Sequence, residues 1–378
     1  MHRTASRMWQ GAWLLACAAA AVWAAPYSTA RGSEPLLFQG ALLAPADATE
    51  SRLRALKAGG WTCAALPLGP EPPGAGLLRA AARVRRAGLE LGWWIEVGRN
   101  PVVASRHPEW IASIQGPHPE WRRRYPNAPV PGEGEVVKAW PWVPVGYKES
   151  FHAHLQRISA LLGAVPPARW IFLNDLQGPP SACGCGNPLC RWTTDYGPLV
   201  SATRLGSDAA ARFVVAVVRR SRFARVVPVW TTECREHQMA GNQACAGVPC
   251  YAGTCWYEWT RQLMPVAAVA PQIGALTLSR TLGQEERGRP RLEWLGESLR
   301  AFADMPPQRN GRAVETRRVL AVLQAWDANP QDLDLQIRRV RDAGAGGWLA
   351  AWTPIRQDWQ PRVHQVTGRP NASTLAEP

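Results

Sequence analysis

One pattern recurs along the chain and limits its fold more than any other feature: an amphipathic helix, a glycine turn, and then a short apolar run. "SRLRALKAGGWTCAALPL" (51 to 68), "LLRAAARVRRAGLELGWWIEV" (77 to 97) and "LQIRRVRDAGAGGWLAAWTPI" (335 to 355) all follow it. In each, a glycine just past a basic last turn supplies the left-handed helix stop. The run behind it is too apolar on both faces for a surface strand, and strands buried on both faces imply a parallel sheet covered by helices. Extending the pattern predicts strands near 36–43, 61–67, 89–97, 169–175, 225–231, 273–279, 318–326 and 347–353. Helices are predicted around 47–58, 74–87, 149–163, 205–222, 259–270, 291–304 and 331–343. Strand and helix alternation at that count predicts the α/β class and a single (β/α)8 TIM barrel, with long cysteine-rich βα loops on its C-terminal face. A doubly wound open sheet fits less well, because no GxGxxG fingerprint follows the first strand.

The N-terminus reads differently from the rest. Arg3 and Arg7 precede an apolar run from 13 to 25, and small residues (Ala24, Ala25, Ala30) follow where a signal peptidase could cut. The run is shorter than the roughly 20 apolar residues a membrane-spanning helix needs. Cleavage before Cys17 suits a lipoprotein less well, since the apolar stretch continues past that cysteine. The expected organisation is a signal peptide over 1–30, a barrel domain over 31–370 and a flexible tail over 371–378. Location would be secreted or periplasmic, with no membrane association after signal removal. Losing Cys17 leaves eight of the nine cysteines, and an even number in an exported protein suits disulfides. The candidates are Cys63, Cys183, Cys185, Cys190, Cys234, Cys245, Cys250 and Cys255.

A formal charge of +14 becomes +12 without Arg3 and Arg7, a surface able to attract polyanions. The basic residues are scattered, without the dense tract a nucleic-acid site would show, so no nucleic-acid partner is expected. Twenty Trp against six Phe and six Tyr say more. A core alone rarely favours Trp so strongly, whereas its broad face suits stacking on sugar rings. The expected partner is therefore carbohydrate, acidic polysaccharide included. Trp94, Trp230, Trp326 and Trp352 are the candidate platforms; of these and Trp93, Trp256 and Trp259, about half are expected to be core.

The extra length lies in three connections that follow strands, 98–148, 176–204 and 232–258, and such loops occupy the functional face of a barrel. Polar residues at strand C-termini are few: Glu96, Asn174, Asp175, Glu233 and Asp327. Carboxylates around one rim are the raw material of glycoside hydrolysis, in which one group protonates the leaving oxygen and another attacks carbon or activates water. Asp175, ending the apolar strand "RWIFLND", is the leading catalytic candidate, with Glu233 and Asp327 as alternative partners. Asn174 and Glu96 are placed to contact sugar hydroxyls. Each carboxylate could instead serve a loop ion pair or a helix cap, and Asp327, ahead of "ANPQDLDLQ", could simply lead into the next helix.

Two local stretches resemble known families. "GLELGWWIEVGRNPVVASRHPEW" (88 to 110) resembles the segment after the third strand in α-galactosidase-type barrels, which implies a nucleophile at Asp175. "ND…CGCGNPLCRW" is similar to family 42 β-galactosidases and related barrels, which implies an acid at Asp175, a partner at Asp327 and a structural zinc held by the cysteine loop. The chain departs from both patterns: Asp replaces the Glu of the second, the cysteines are spaced C-x-C-x4-C, and "IGALTLS" lacks the acid that the first wants. No catalytic cofactor is expected. Cys183, Cys185 and Cys190 could supply three zinc ligands, with a fourth from Cys234, Cys245, Cys250, Cys255 or His237. Export favours disulfides over that metal site. A non-catalytic carbohydrate-binding barrel is the alternative to a hydrolase, and oligomeric state is not legible.

Overall fold

The computed structural model describes residues 38–111, 113–114, 135–146, 148–174, 176, 192–193, 202–221, 224–231, 250–251, 254–255, 270–273, 285–286, 289–290, 295, 319–354 and 360–365. The expected signal segment and the tail at 371–378 lie outside them.

Eight strands form the centre: β1 Phe38–Leu42, β2 Cys63–Leu68, β3 Glu90–Glu96, β4 Trp170–Asn174, β5 Arg225–Thr231, β6 Ala270–Ile273, β7 Leu320–Gln324 and β8 Gly347–Ala351. Each pairs in parallel with the next, and β8 pairs with β1 from Phe38↔Gly347 to Leu42↔Ala351, so the curled sheet closes. At that seam Gly347 has φ +150°, and a Cβ there would lie 1.9 Å from the Phe38 carbonyl oxygen. No side chain fits between the two backbones.

Strand alternation divides the core into two layers. Phe38, Leu42, Cys63, Ala65, Trp94, Trp170, Phe172, Val227, Val229, Leu320, Val322, Leu349 and Ala351 form one buried cluster drawn from strands alone, the inside of the ring. Their neighbours in sequence, such as Ala64, Trp93, Ile171, Val226 and Ala321, join a second cluster with helix residues Leu53, Val84, Leu155 and Phe213. Two buried faces per strand explain the unbroken apolar runs. The helices of this outer layer are α1 Glu50–Ala58, α2 Ala75–Arg86, α4 Lys148–Ala164, α5 Ala202–Arg220 and α6 Pro330–Asp342; α3 Pro101–Arg106 is a short turn in the loop after β3. Thr49 caps α1 by accepting from the Arg52 amide, and Asn329 caps α6 by accepting from that of Asp332.

Seven strands lie where the sequence places them. The sixth does not: β6 is Ala270–Ile273, meeting the predicted 273–279 only at Ile273. Its register is set by Pro271↔Trp230 and Gln272↔Val322. Pro271 reads as a breaker in isolation, and the apolar stretch around it marks no boundary. The helix predicted at 259–270 lies outside the described residues except for Ala270, which is strand; in 291–304 only Leu295 is described, helical and buried.

A second sheet was not foreseen. Glu135–Trp140 pairs antiparallel with Gln360–Gln365 and with Ser113–Ile114, which pairs in turn with Trp192–Thr193. It thus joins the connections after β3 and β4 to the chain beyond β8. A small hairpin sets Cys250 opposite Cys255 in register.

Cys63 corrects one expectation. It is a free, fully buried thiol on the inner face of β2, among Phe38, Ala65 and Trp170. Burial, with the Glu90 charge second, pushes its thiol up, so it stays protonated. Among the described residues no helix is long and apolar enough to cross a membrane.

Candidate functional site

The C-terminal end of β3 delivers a carboxylate to the mouth of the ring. Glu96 follows Trp94 by two residues, so both face inward, and the Trp94 indole Nε1 donates to Glu96 Oε1 at 2.8 Å. Asn174 is opposite Glu96 in the β3–β4 register, and its Nδ2 donates to Glu96 Oε2 at 2.8 Å. Trp94 is itself fixed by stacking on Phe172, at 6.2 Å between ring centroids and 28° between planes. Each carboxylate oxygen therefore has its own donor, held by a side chain locked in the core.

Positive charge stands behind this cluster. Arg157, from α4, donates through Nη2 to the Glu96 carbonyl at 2.7 Å. Burial lowers its guanidinium to about 10 and the Glu96 charge opposes that shift, so the group is a cation at neutral pH. One turn earlier, buried His154 donates from Nε2 to the Val143 carbonyl at 2.8 Å. Burial first, and Arg157 second, bring its imidazole down to about 3, so it is neutral. The Val143 amide donates in turn to Gly98 O at 2.8 Å, which ties α4 to the loop after β3.

A cavity of about 280 Å³ opens beside Glu96. Trp94, Glu96, Arg99, Arg157 and Thr353 line it, together with five prolines: Pro67, Pro70, Pro101, Pro141 and Pro354. It lies near the lower end of the roughly 300–1,000 Å³ usual for ligand sites. Proline walls have fixed φ and no N–H to satisfy, so such a cavity is largely preformed. Among the described residues, the buried Thr353 Oγ1, Arg99 Nε, Arg157 Nε and Asn174 Oδ1 find no hydrogen-bond partner.

The structure thus brings Trp94, Glu96 and Asn174 together. Trp94, at 2% exposure, is no open stacking platform; it positions Glu96 and closes the cavity wall. Trp326 is half-buried against the inner cluster. Trp352 requires a correction: one residue past inward-facing Ala351, it falls on the outer face, 5.4 Å from the Trp61 ring with Arg52 over it at 5.2 Å. That is a packing position between strand and helix. Trp93 is also on the outer face and donates to Pro166 O at 3.1 Å.

Asp327 is exposed in the turn after β7, with φ 54°. It is not among the residues that line the cavity, and β7 stands diametrically across the ring from β3. Short polar residues tolerate that left-handed conformation, and the turn leads directly to the Asn329 cap. His107, of the "HPEW" stretch, stacks on Trp110 at 3.7 Å and contacts Glu109 at 3.1 Å, which makes it a brace of its own loop. Trp230 is described only by its pairing with Pro271. Asp175, Glu233, Cys183, Cys185, Cys190, Cys234 and Cys245 lie outside the described residues, as does His237. Arg99, Arg157 and Thr353 were missed. Arg157 reads as an ordinary exposed helix residue, and only the position of Arg99, three past a strand-end acid, could have drawn notice.

No protein-family model matches this chain, and no curated protein matches it in sequence. Solved structures do match in fold. A β-galactosidase from the psychrophilic Marinomonas ef1 superposes with a TM-score of 0.50 at 12% identity, over 85% of this chain and 55% of its own. An α-L-fucosidase isoenzyme from Paenibacillus thiaminolyticus gives 0.45 at 11%, over 83% and 45%. A GH18 chitinase from Pseudoalteromonas aurantia gives 0.44 at 8%, over 84% and 94%. The chain spans about half the length of that β-galactosidase. At such identities the likeness is one of fold: a parallel, curled α/β sheet of the kind glycoside hydrolases use.

Proposed function

We propose that this chain is an exported, glycoside-hydrolase-like (β/α)8 barrel that acts on a polysaccharide or oligosaccharide at the C-terminal mouth of the ring. The observation that carries the reading is Glu96, held by Trp94 and Asn174 at a strand C-terminus and open to a preformed cavity. Active sites of such barrels gather at this face, and the fold alone does not select a chemistry. Glu96 is a fixed acceptor with lone pairs to spare, suited to sugar hydroxyls. Asp175, next in sequence to Asn174, is proposed as the catalytic carboxylate and Glu233 as its partner; Asp327 is the weaker alternative, given its exposed turn. The loop cysteines are proposed to form disulfides that brace the rim. The Cys250–Cys255 register supports this, because directly paired strand residues lie within the Cα separation a disulfide spans.

The test is hydrolysis of a glycan panel by the wild type and by Asp175→Asn, Glu233→Gln and Asp327→Asn. Loss of turnover by about a thousandfold or more in Asp175→Asn, with unchanged melting, supports the assignment. Retention of most of the rate would overturn it. If oligosaccharides bound without being cleaved, the chain would be a carbohydrate-binding barrel. Thiol titration of the denatured, unreduced protein should find Cys63 and few others; several free thiols with stoichiometric zinc would replace the disulfide reading.

A further inference from the structure

We infer that the cavity beside Glu96 is a subsite for an oxyanion carried on the glycan, a uronate carboxylate or a sulfate ester, with Arg99 as its counter-ion. The inference rests on the carbohydrate reading above and names its substrate class.

Among the described residues, two guanidinium groups and one carboxylate line the cavity. Glu96 is answered within its own cluster: Trp94 and Asn174 donate to its two oxygens, and Arg157 donates to its carbonyl. Arg99 is left over. It is only partly exposed, and its buried Nε has no hydrogen-bond partner and its guanidinium no ion pair among the described residues. A guanidinium is always charged, and taking it partly out of water without an opposite charge is costly. The Thr353 hydroxyl lines the same cavity and is also buried with no partner among the described residues. An anionic substituent would offset the Arg99 charge and offer an acceptor to Thr353, while the sugar ring that bears it meets Trp94 and the proline walls. A neutral sugar would bring Arg99 no opposite charge. Arginine suits this role because its fork matches carboxylate and sulfate geometry.

The experiment measures binding by calorimetry with three probes: tetragalacturonate, its full methyl ester, and a sulfated carrageenan-derived tetrasaccharide. The wild type should bind an anionic probe about tenfold or more tighter than the ester, about the effect of one charge-assisted contact. In Arg99→Gln that preference should fall to about onefold to twofold, while Arg54→Gln, on the exposed face of α1, should keep it. Arg99→Lys should retain part of it, and Thr353→Val should weaken the anionic probe several-fold without affecting the ester. These last two variants carry the test if Arg99→Gln fails to fold. Preference for the uronate or for the sulfated probe would identify the source of the oxyanion. Equal affinity for acid and ester, or a preference that survives Arg99→Gln, overturns the subsite and leaves the carbohydrate reading intact. Absence of binding to every saccharide, neutral or charged, overturns both.

Discussion

Each end of β3 pairs a glutamate with an indole, and the two pairs are put to different uses. At the lower mouth Glu90 accepts from the Trp170 indole at 2.6 Å; at the upper mouth Glu96 accepts from that of Trp94 at 2.8 Å. Below, Arg169 approaches Glu90 at 3.8 Å and Arg225 lies over the Trp170 ring at 5.0 Å, so the exposed carboxylate is surrounded by its own counter-charges. Above, Glu96 is half-buried, its second oxygen is held by a fully buried amide, and a cavity opens beside it in which Arg99 forms no ion pair with a described residue. A Glu and Trp pair therefore does not by itself mark a site. What distinguishes the upper mouth is polar capacity left unfilled in a place a ligand can reach.

The largest expected effect tests how tightly each mouth is built. Gly347→Ala at the lower seam drives a methyl group into the Phe38 carbonyl, and urea unfolding should show a loss of about 3 kcal/mol or more, or no folded protein. Gly69, on the cavity wall above, has open space around its would-be Cβ, so Gly69→Ala should change stability by no more than about 0.5 kcal/mol. Similar costs at the two positions would mean that the mouths do not differ in packing.

Next comes the carboxylate pair itself. Glu96→Gln should lower glycan turnover by about a hundredfold, while Glu90→Gln should leave it within about twofold, both with near-native melting. An equal loss from the two variants would erase the contrast.

The third effect is one of pH. His154 holds the segment behind Glu96, with an imidazole brought from 6.5 down to about 3. The unfolded chain binds a proton there before the folded one does, so the stabilisation is fully present above pH 6.5 and is lost as pH falls toward 3. The slope approaches about 1.4 kcal/mol per pH unit. Urea midpoints at pH 7 and pH 5 should differ by that term in the wild type and lose it in His154→Gln, whose amide can still donate to Val143.

The smallest is a labelling experiment at the lower layer. Native protein should leave Cys63 unmodified by a thiol reagent over hours and expose it on unfolding, as a buried, protonated thiol requires.

Much of this barrel is legible in the sequence because two-sided burial writes itself as apolar runs between glycine stops. Alternation is harder to read. Trp93 and Trp94 are adjacent and identical, and only the ring's closure decides that the first packs outward and the second inward. The same parity moves Trp352 away from the rim. Glu96 and Asn174 could be found because polar residues ending apolar strands stand out, whereas Arg157 reaches the site from a helix whose sequence records only that it is amphipathic. Asp327 has the composition of a site residue and the backbone of a turn. The rim sheet left no trace, since two of its strands have only two residues and the longer two pair with partners far away in the chain.

That sheet also has a bearing on how the chain is assembled. Gln360–Gln365 completes the pairing of Glu135–Trp140 only a few residues after Gly347–Ala351 has closed the ring on Phe38–Leu42. Both unions join segments hundreds of residues apart, and the entropy of loop closure must be met before either contributes. A polypeptide emerging N-terminus first must therefore keep three strand edges waiting, at β1, at β7 and at Glu135–Trp140, until its last stretch arrives. Unpaired edges invite association between copies. A chain kept unfolded until synthesis ends would not expose such edges while its last stretch is awaited.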